Sequence, residues 1–128
     1  MITITAGRDE ITVSGHAGYA PPGQDIVCAA ISALTQTLIQ AIRELTADTI
    51  QYRISPGRVD IQRGDLSADA QLLVDSFFVG CRMVADAYPD YVRVTGQAVE
   101  AGKSYGVKTS ESFKNTDNLE VESHEEVN

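Results

Sequence analysis

Two stretches of the chain repeat apolar residues every three to four positions, and each follows a pair of short runs in which apolar and polar residues alternate. That order constrains the fold most, because a 3.6-residue period belongs to a helix with one buried face and a period of two to a half-buried strand. Ile2, Ile4 and Ala6, then Ile11 and Val13, alternate with Thr and Ser, and Gly7-Arg8-Asp9-Glu10 supplies the turn between them. Over residues 25–46, Ile26, Ala30, Ala33, Leu34, Thr37, Leu38, Ala41, Ile42 and Leu45 mark the buried stripe expected of a long helix. Ile50, Tyr52 and Ile54 alternate next, then Val59 and Ile61, joined at Ser55-Pro56-Gly57-Arg58, where Pro and Gly suit the two central turn positions. Ser67 is a helix N-cap, and Ala70, Leu73, Val74, Phe77, Cys81, Val84, Ala85 and Tyr88 form a second stripe that Pro89 stops. Tyr91-Val92-Arg93-Val94 supplies a last strand.

The expected order is therefore ββαββαβ. Two hairpins imply a mainly antiparallel five-stranded sheet with both helices on one face, a two-layer α+β sandwich. A chain of 128 residues builds one such domain and not two. We expect the domain to occupy residues 1–99. Residues 100–128 read as an acidic, disordered tail, since three Lys and seven acidic residues there carry half of the net charge of −8 amid Ser, Thr and Asn.

Charge and composition remove several function classes. A net charge of −8 leaves no basic patch for phosphates, so no nucleic-acid partner is expected. We expect no apolar run to approach the roughly 20 residues that span a bilayer, and the N-terminus alternates like a strand instead of resembling a signal peptide, so the expectation is a cytoplasmic protein with no membrane partner. Cys28 and Cys81 are too few and too far apart for a disulfide scaffold, and both are expected as reduced thiols. With His16 and His124 they lack the close pair spacing of structural zinc sites, so neither a metal nor another cofactor is expected. Ala101-Gly102-Lys103-Ser104 lacks the earlier glycine that a phosphate-binding loop needs.

The chemistry concentrates between the second strand and the first helix. His16 ends a strand, a Gly- and Pro-rich loop follows, and Asp25 precedes Cys28 by three residues. If Asp25 is the N-cap, Cys28 lies in the first helical turn, where unpaired N–H groups and the positive end of the helix dipole favour thiolate over thiol. An imidazole folded back over that sulfur makes the pair that activates a cysteine nucleophile and then protonates a leaving amine. Backbone N–H groups of the first turn, that of Cys28 included, can hold an oxyanion. Asp25 either orients His16 or only caps the helix, and Ser32 either bonds near the thiol or back along its own helix. On residue type alone Cys28 stands between a nucleophile and a core thiol, whereas Cys81, inside an apolar stripe, reads as core.

Gly15-His16-Ala17-Gly18-Tyr19 and Asp25-Ile26-Val27-Cys28-Ala29-Ala30-Ile31-Ser32-Ala33-Leu34 resemble the paired blocks of the ribosomal-processing cysteine protease family, also called Prp. The resemblance covers roughly residues 1–96. It implies a homodimeric cysteine endopeptidase that removes an N-terminal extension from a large-subunit ribosomal protein, with Cys28 as nucleophile, His16 as base and acid, and Gly15, Asp25 and Ser32 in support. The family's mobile substrate loop corresponds to Gly18, Tyr19, Ala20, Pro21, Pro22, Gly23 and Gln24. Some members travel with bacteriophage head genes, which makes a capsid or scaffold protein the alternative substrate. A non-catalytic peptide-binding module is the alternative from another class.

Overall fold

A computed structural model describes residues 1–96, so the expected boundary at residue 99 and the acidic tail lie outside the described residues. Seven elements follow in the expected order: β1 (Ile2–Ala6), β2 (Glu10–Ser14), α1 (Ile26–Leu45), β3 (Tyr52–Ser55), β4 (Arg58–Gln62), α2 (Ala68–Ala87) and β5 (Val92–Gly96). They form one five-stranded sheet in the order β3-β4-β2-β1-β5. The pairs β1/β2, β2/β4 and β3/β4 are antiparallel, and β1/β5 is parallel. The parallel pair follows from connectivity: α2 carries the chain from β4 across β2 and β1, the long crossover that a parallel return demands.

Alternation along the strands separates the two faces. Ile2, Ile4, Ala6, Ile11, Val13, Ile61 and Val92 are buried against the helices, while Thr5 and Arg93 point to the open face. Phe77 and Phe78 of α2 enter the core edge to face, with ring centroids 5.1 Å apart. Ser67 caps α2 as expected, its hydroxyl accepting the N–H of Ala70 at 3.1 Å. Strand β3 is an exposed edge shorter than the alternation suggests, because Ile50 is buried but stands before the strand.

The buried stripe of α1 differs from the expected one. Val27, Ile31, Thr35, Leu38, Ile39 and Ile42 face the core, whereas Ile26 and Leu45 are 55% and 71% exposed. The helix carries two apolar faces that overlap at Leu38 and Ile42, and the sheet takes the one rich in β-branched side chains. The other, alanine-rich face borders a groove of about 500 Å³ shared with α2. Leu34 reaches into α2 at Gly80, where an added Cβ would meet its Cδ2 at 2.9 Å. The same double apolarity corrects the expectation about spanning segments: by length and composition alone α1, with 20 residues and a mean hydropathy of 1.4, is apolar enough to cross a membrane. Here one of its faces is packed on the sheet as part of the domain core.

Candidate active site

The site is built where β2 ends and α1 begins. After Ser14 the chain must turn away from the sheet, and Gly15 does so at φ 94° while pressed against β1: a Cβ there would lie 2.3 Å from the carbonyl oxygen of Met1. Only glycine fits, on conformation and on space. Its N–H donates to the carbonyl of Gly57 at 2.9 Å, which ties the end of β2 to the β3/β4 turn. The amino group of Met1 donates to the carbonyl of His16 at 2.6 Å. The backbone on both sides of the His16 side chain is thereby fixed.

His16 is exposed, and the next residue, Ala17, is buried and donates its N–H to Cys28 Sγ at 3.3 Å. The half-buried Cys28 lies in the first turn of α1. The structure therefore brings His16 and Cys28 to one rim, although among the described residues the imidazole makes no side-chain hydrogen bond. Catalytic hydrogen bonds are often loose before substrate binds. The Ala17 N–H is directed at the sulfur, and the sulfur lies beside the positive end of the helix.

Asp25 is the N-cap, as the sequence suggests. One carboxylate oxygen accepts the N–H of Cys28 at 2.9 Å and the other that of Tyr19 at 3.1 Å. The Cys28 N–H holds the carboxyl below its ordinary value of 3.8, with help from the N–H groups of Tyr19 and Ala20 and from the Cys28 side chain, against some desolvation. No hydrogen bond joins Asp25 to the His16 ring among the described residues, so the capping alternative is the one seen. The cap also corrects the expected oxyanion donors: the Cys28 N–H is taken by Asp25 and leaves that role to other amides of the turn. Ser32, exposed one turn further on, makes no hydrogen bond to the sulfur among the described residues.

Because the folded carboxyl titrates below its unfolded value, its stabilisation is present above pH 3.8 and is lost as pH falls through the lower folded value. The cap is thus complete at neutral pH. Asp25→Ala is expected to expose the amides of Cys28 and Tyr19 to several-fold faster hydrogen exchange at pH 7, whereas wild type loosens there only in acid.

The loop over residues 18–24 has its own anchors. Pro21 accepts the N–H of Gln24 at 2.9 Å, closing a turn with Pro22 and Gly23 at its centre. Tyr19 stacks edge to face on Tyr88 and Tyr91, with centroids 5.6 and 5.2 Å away. Two clefts meet at His16, Cys28 and Ser32. One, of about 710 Å³, runs under this loop past Pro22 and Asp25, and the other, of about 290 Å³, runs between α1 and the β3/β4 hairpin past Gln36, Ile54 and Val59. The hairpin's share in the site was not legible in the sequence, where Pro56-Gly57 signals a turn and nothing about its neighbours.

Cys81 behaves as the core thiol that its stripe suggested. It is fully buried, and desolvation pushes its pKa up to about 12. Against the ordinary value of 9.0 that leaves on the order of 10³-fold less thiolate at neutral pH, so iodoacetamide is expected to label only Cys28 in the native protein and both cysteines after denaturation, as read by intact mass.

Known proteins are similar to this chain in sequence and in architecture. The family model for cysteine protease Prp matches residues 1–93. The ribosomal processing cysteine protease Prp of Staphylococcus aureus strain Mu50 is 31% identical over 88 residues, which is 66% of this chain and 83% of that protein. The Prp of Mycoplasma genitalium is 24% identical over 103 residues, 78% of this chain and 100% of that protein. The crystal structure of the S. aureus protease in complex with a covalently linked product peptide superposes with a TM-score of 0.69 at 28% identity, covering 74% of this chain and 98% of that one. SMU.848 from Streptococcus mutans superposes with a TM-score of 0.65 at 29% identity, covering 74% and 92%. Since the family match takes in both helices, four strands and the start of the fifth, this chain belongs to the cysteine protease Prp family.

Proposed function

We propose that this chain is a cysteine endopeptidase that removes an N-terminal extension from a large-subunit ribosomal protein, with Cys28 as nucleophile and His16 as base and acid. The observation that carries the reading is the meeting of His16 and Cys28 in the lining that two clefts share, so that a peptide held in either cleft has both side chains in its wall. The domain's net negative charge also suits a basic substrate.

In the first half-reaction His16 holds the proton taken from Cys28, and the thiolate Sγ bonds to the scissile carbonyl carbon. First-turn amides that Asp25 does not occupy stabilise the oxyanion. The C–N bond then breaks, the imidazolium gives its proton to the leaving amine, and a thioester remains. Water, deprotonated by His16, attacks the thioester, the C–S bond breaks to release the product acid, which loses its proton to solvent, and the proton on His16 restores the resting pair with Cys28. Gly15 sets the turn, Asp25 holds the helix start and the loop, and Ser32 lines both clefts beside the sulfur. The loop of residues 18–24 closes over the bound segment, with Tyr19 as its anchor.

Incubation with the extended ribosomal protein, read by intact mass, tests the reading: wild type is expected to release the extension in one cut and to leave the already shortened form untouched. No cleavage of the extended form would overturn it. The same reading makes the enzyme a cytoplasmic homodimer, and sedimentation equilibrium is expected to give twice the 13.8 kDa chain mass.

A further inference from the structure

We propose that the β3/β4 turn is the positioning wall of the catalytic histidine, and that position 57 is glycine because the imidazole of His16 occupies the space a side chain would need. The inference rests on the reading of His16 as base and acid. An ideal Cβ built on Gly57 would stand 3.2 Å from His16 Nε2 and 3.8 Å from each of its two ring neighbours, Cδ2 and Cε1. The Nε2 corner of the ring thus faces the side of Gly57 on which a Cβ would stand. The backbone around His16 is held by the Gly15 N–H to Gly57 bond, by the Met1 amino group and by the Ala17 N–H to sulfur contact.

Among the described residues the side chain has no comparable tie. An exposed imidazole without a hydrogen bond spreads over several rotamers, and only a fraction of them keep a nitrogen in reach of the sulfur. A rigid wall removes the rotamers that swing toward the hairpin. Gly57 serves as that wall because it is itself fixed: it follows Pro56 in a two-residue turn closed by the Ser55–Arg58 pair, and its carbonyl is bonded back to Gly15. The contact is steric, so its effect on the reaction passes through His16 alone, and Gly57 is a positioning residue that touches no reacting atom.

Two requirements for glycine coincide here and can be separated. Its φ of 70° lies in the left-handed region, which asparagine tolerates far better than alanine. The space requirement bears on both, because a Cβ 3.2 Å from Nε2 makes the imidazole give way by a few tenths of an ångström. If only the backbone conformation mattered, Gly57→Asn would behave as wild type. If the ring needs the space, Gly57→Asn moves the imidazole by a few tenths of an ångström while the fold survives.

The test compares wild type, Gly57→Asn and Gly57→Ala, each with His16 present and with His16→Ala, by steady-state cleavage, by the iodoacetamide rate at Cys28, and by thermal melting to confirm folding. The expected result is a roughly 10-fold lower kcat for Gly57→Asn at unchanged KM. A slower alkylation of Cys28 is expected as well, with neither change further affecting the His16→Ala background. Equal losses in both backgrounds would make the turn merely structural and overturn the proposal, as would a wild-type kcat for Gly57→Asn. Full cleavage by His16→Ala itself would overturn it too, and would locate the failure at the histidine and not at the turn.

Discussion

Cys28→Ala is expected to lower the cleavage rate by about 10⁴-fold or more while leaving the melting temperature within a few degrees of wild type. The first half follows from chemistry: without Sγ no thioester can form, and the remaining amides and clefts can only bind substrate. The second follows from position. Cys28 is half-buried in the first turn of α1, so the loss of its sulfur opens no cavity in the core, and its N–H still donates to Asp25. His16→Ala is expected to fall in the same class because in the proposed mechanism the two act as a unit, and the double variant should be little worse than either single one. Progress curves on the extended ribosomal protein check all three. A Cys28→Ala protein with more than a tenth of wild-type activity would remove Cys28 from the mechanism.

The second large effect is structural and sits one residue before His16. Gly15→Ala is expected to destabilise the domain by about 3 kcal/mol, lowering its melting temperature by about 10 to 20 °C. Two penalties add: the left-handed φ of 94° for a residue with a side chain, and a Cβ 2.3 Å from the Met1 carbonyl oxygen. That oxygen is backbone at the start of β1 and cannot yield without displacing the strand. Gly18 and Gly23 serve as controls, since their φ is also positive but, among the described residues, nothing lies within 4 Å of a built Cβ. Alanine there is expected to cost about 1 kcal/mol. Thermal unfolding of the three variants separates strain from collision. A Gly15→Ala protein melting with the controls would show that the close approach does not matter.

Much of this architecture can be read without coordinates because it is written in short-range chemistry. Asp25 and Ser67 cap the helices they were expected to cap, Pro56 and Gly57 form their turn, and Pro89 follows the end of α2. Each depends on residues a few positions apart, where propensity and hydrogen-bonding reach decide the outcome. The pairing of the Gly-His-Ala and Asp-Ile-Val-Cys-Ala blocks was legible for the same reason, and it led to the family.

What the chain could not disclose by itself depends on residues far apart in sequence. Periodicity cannot choose between two apolar faces of α1, since each repeats at helical spacing; the sheet chose the face of Val27, Ile31 and Ile39 over that of Ile26, Ala30 and Ala33. The parallel pairing of β1 with β5 was likewise set by where α2 delivers the chain. At the site, the placing of Gly57 beside the His16 ring is visible only once the β3/β4 hairpin is paired to β2, and only the coordinates show Asp25 as a cap with no bond to His16 among the described residues. Local sequence therefore determined the elements and the chemistry they carry. Tertiary packing decided which surfaces those elements bury and what stands behind the histidine, because those depend on side chains meeting across the chain.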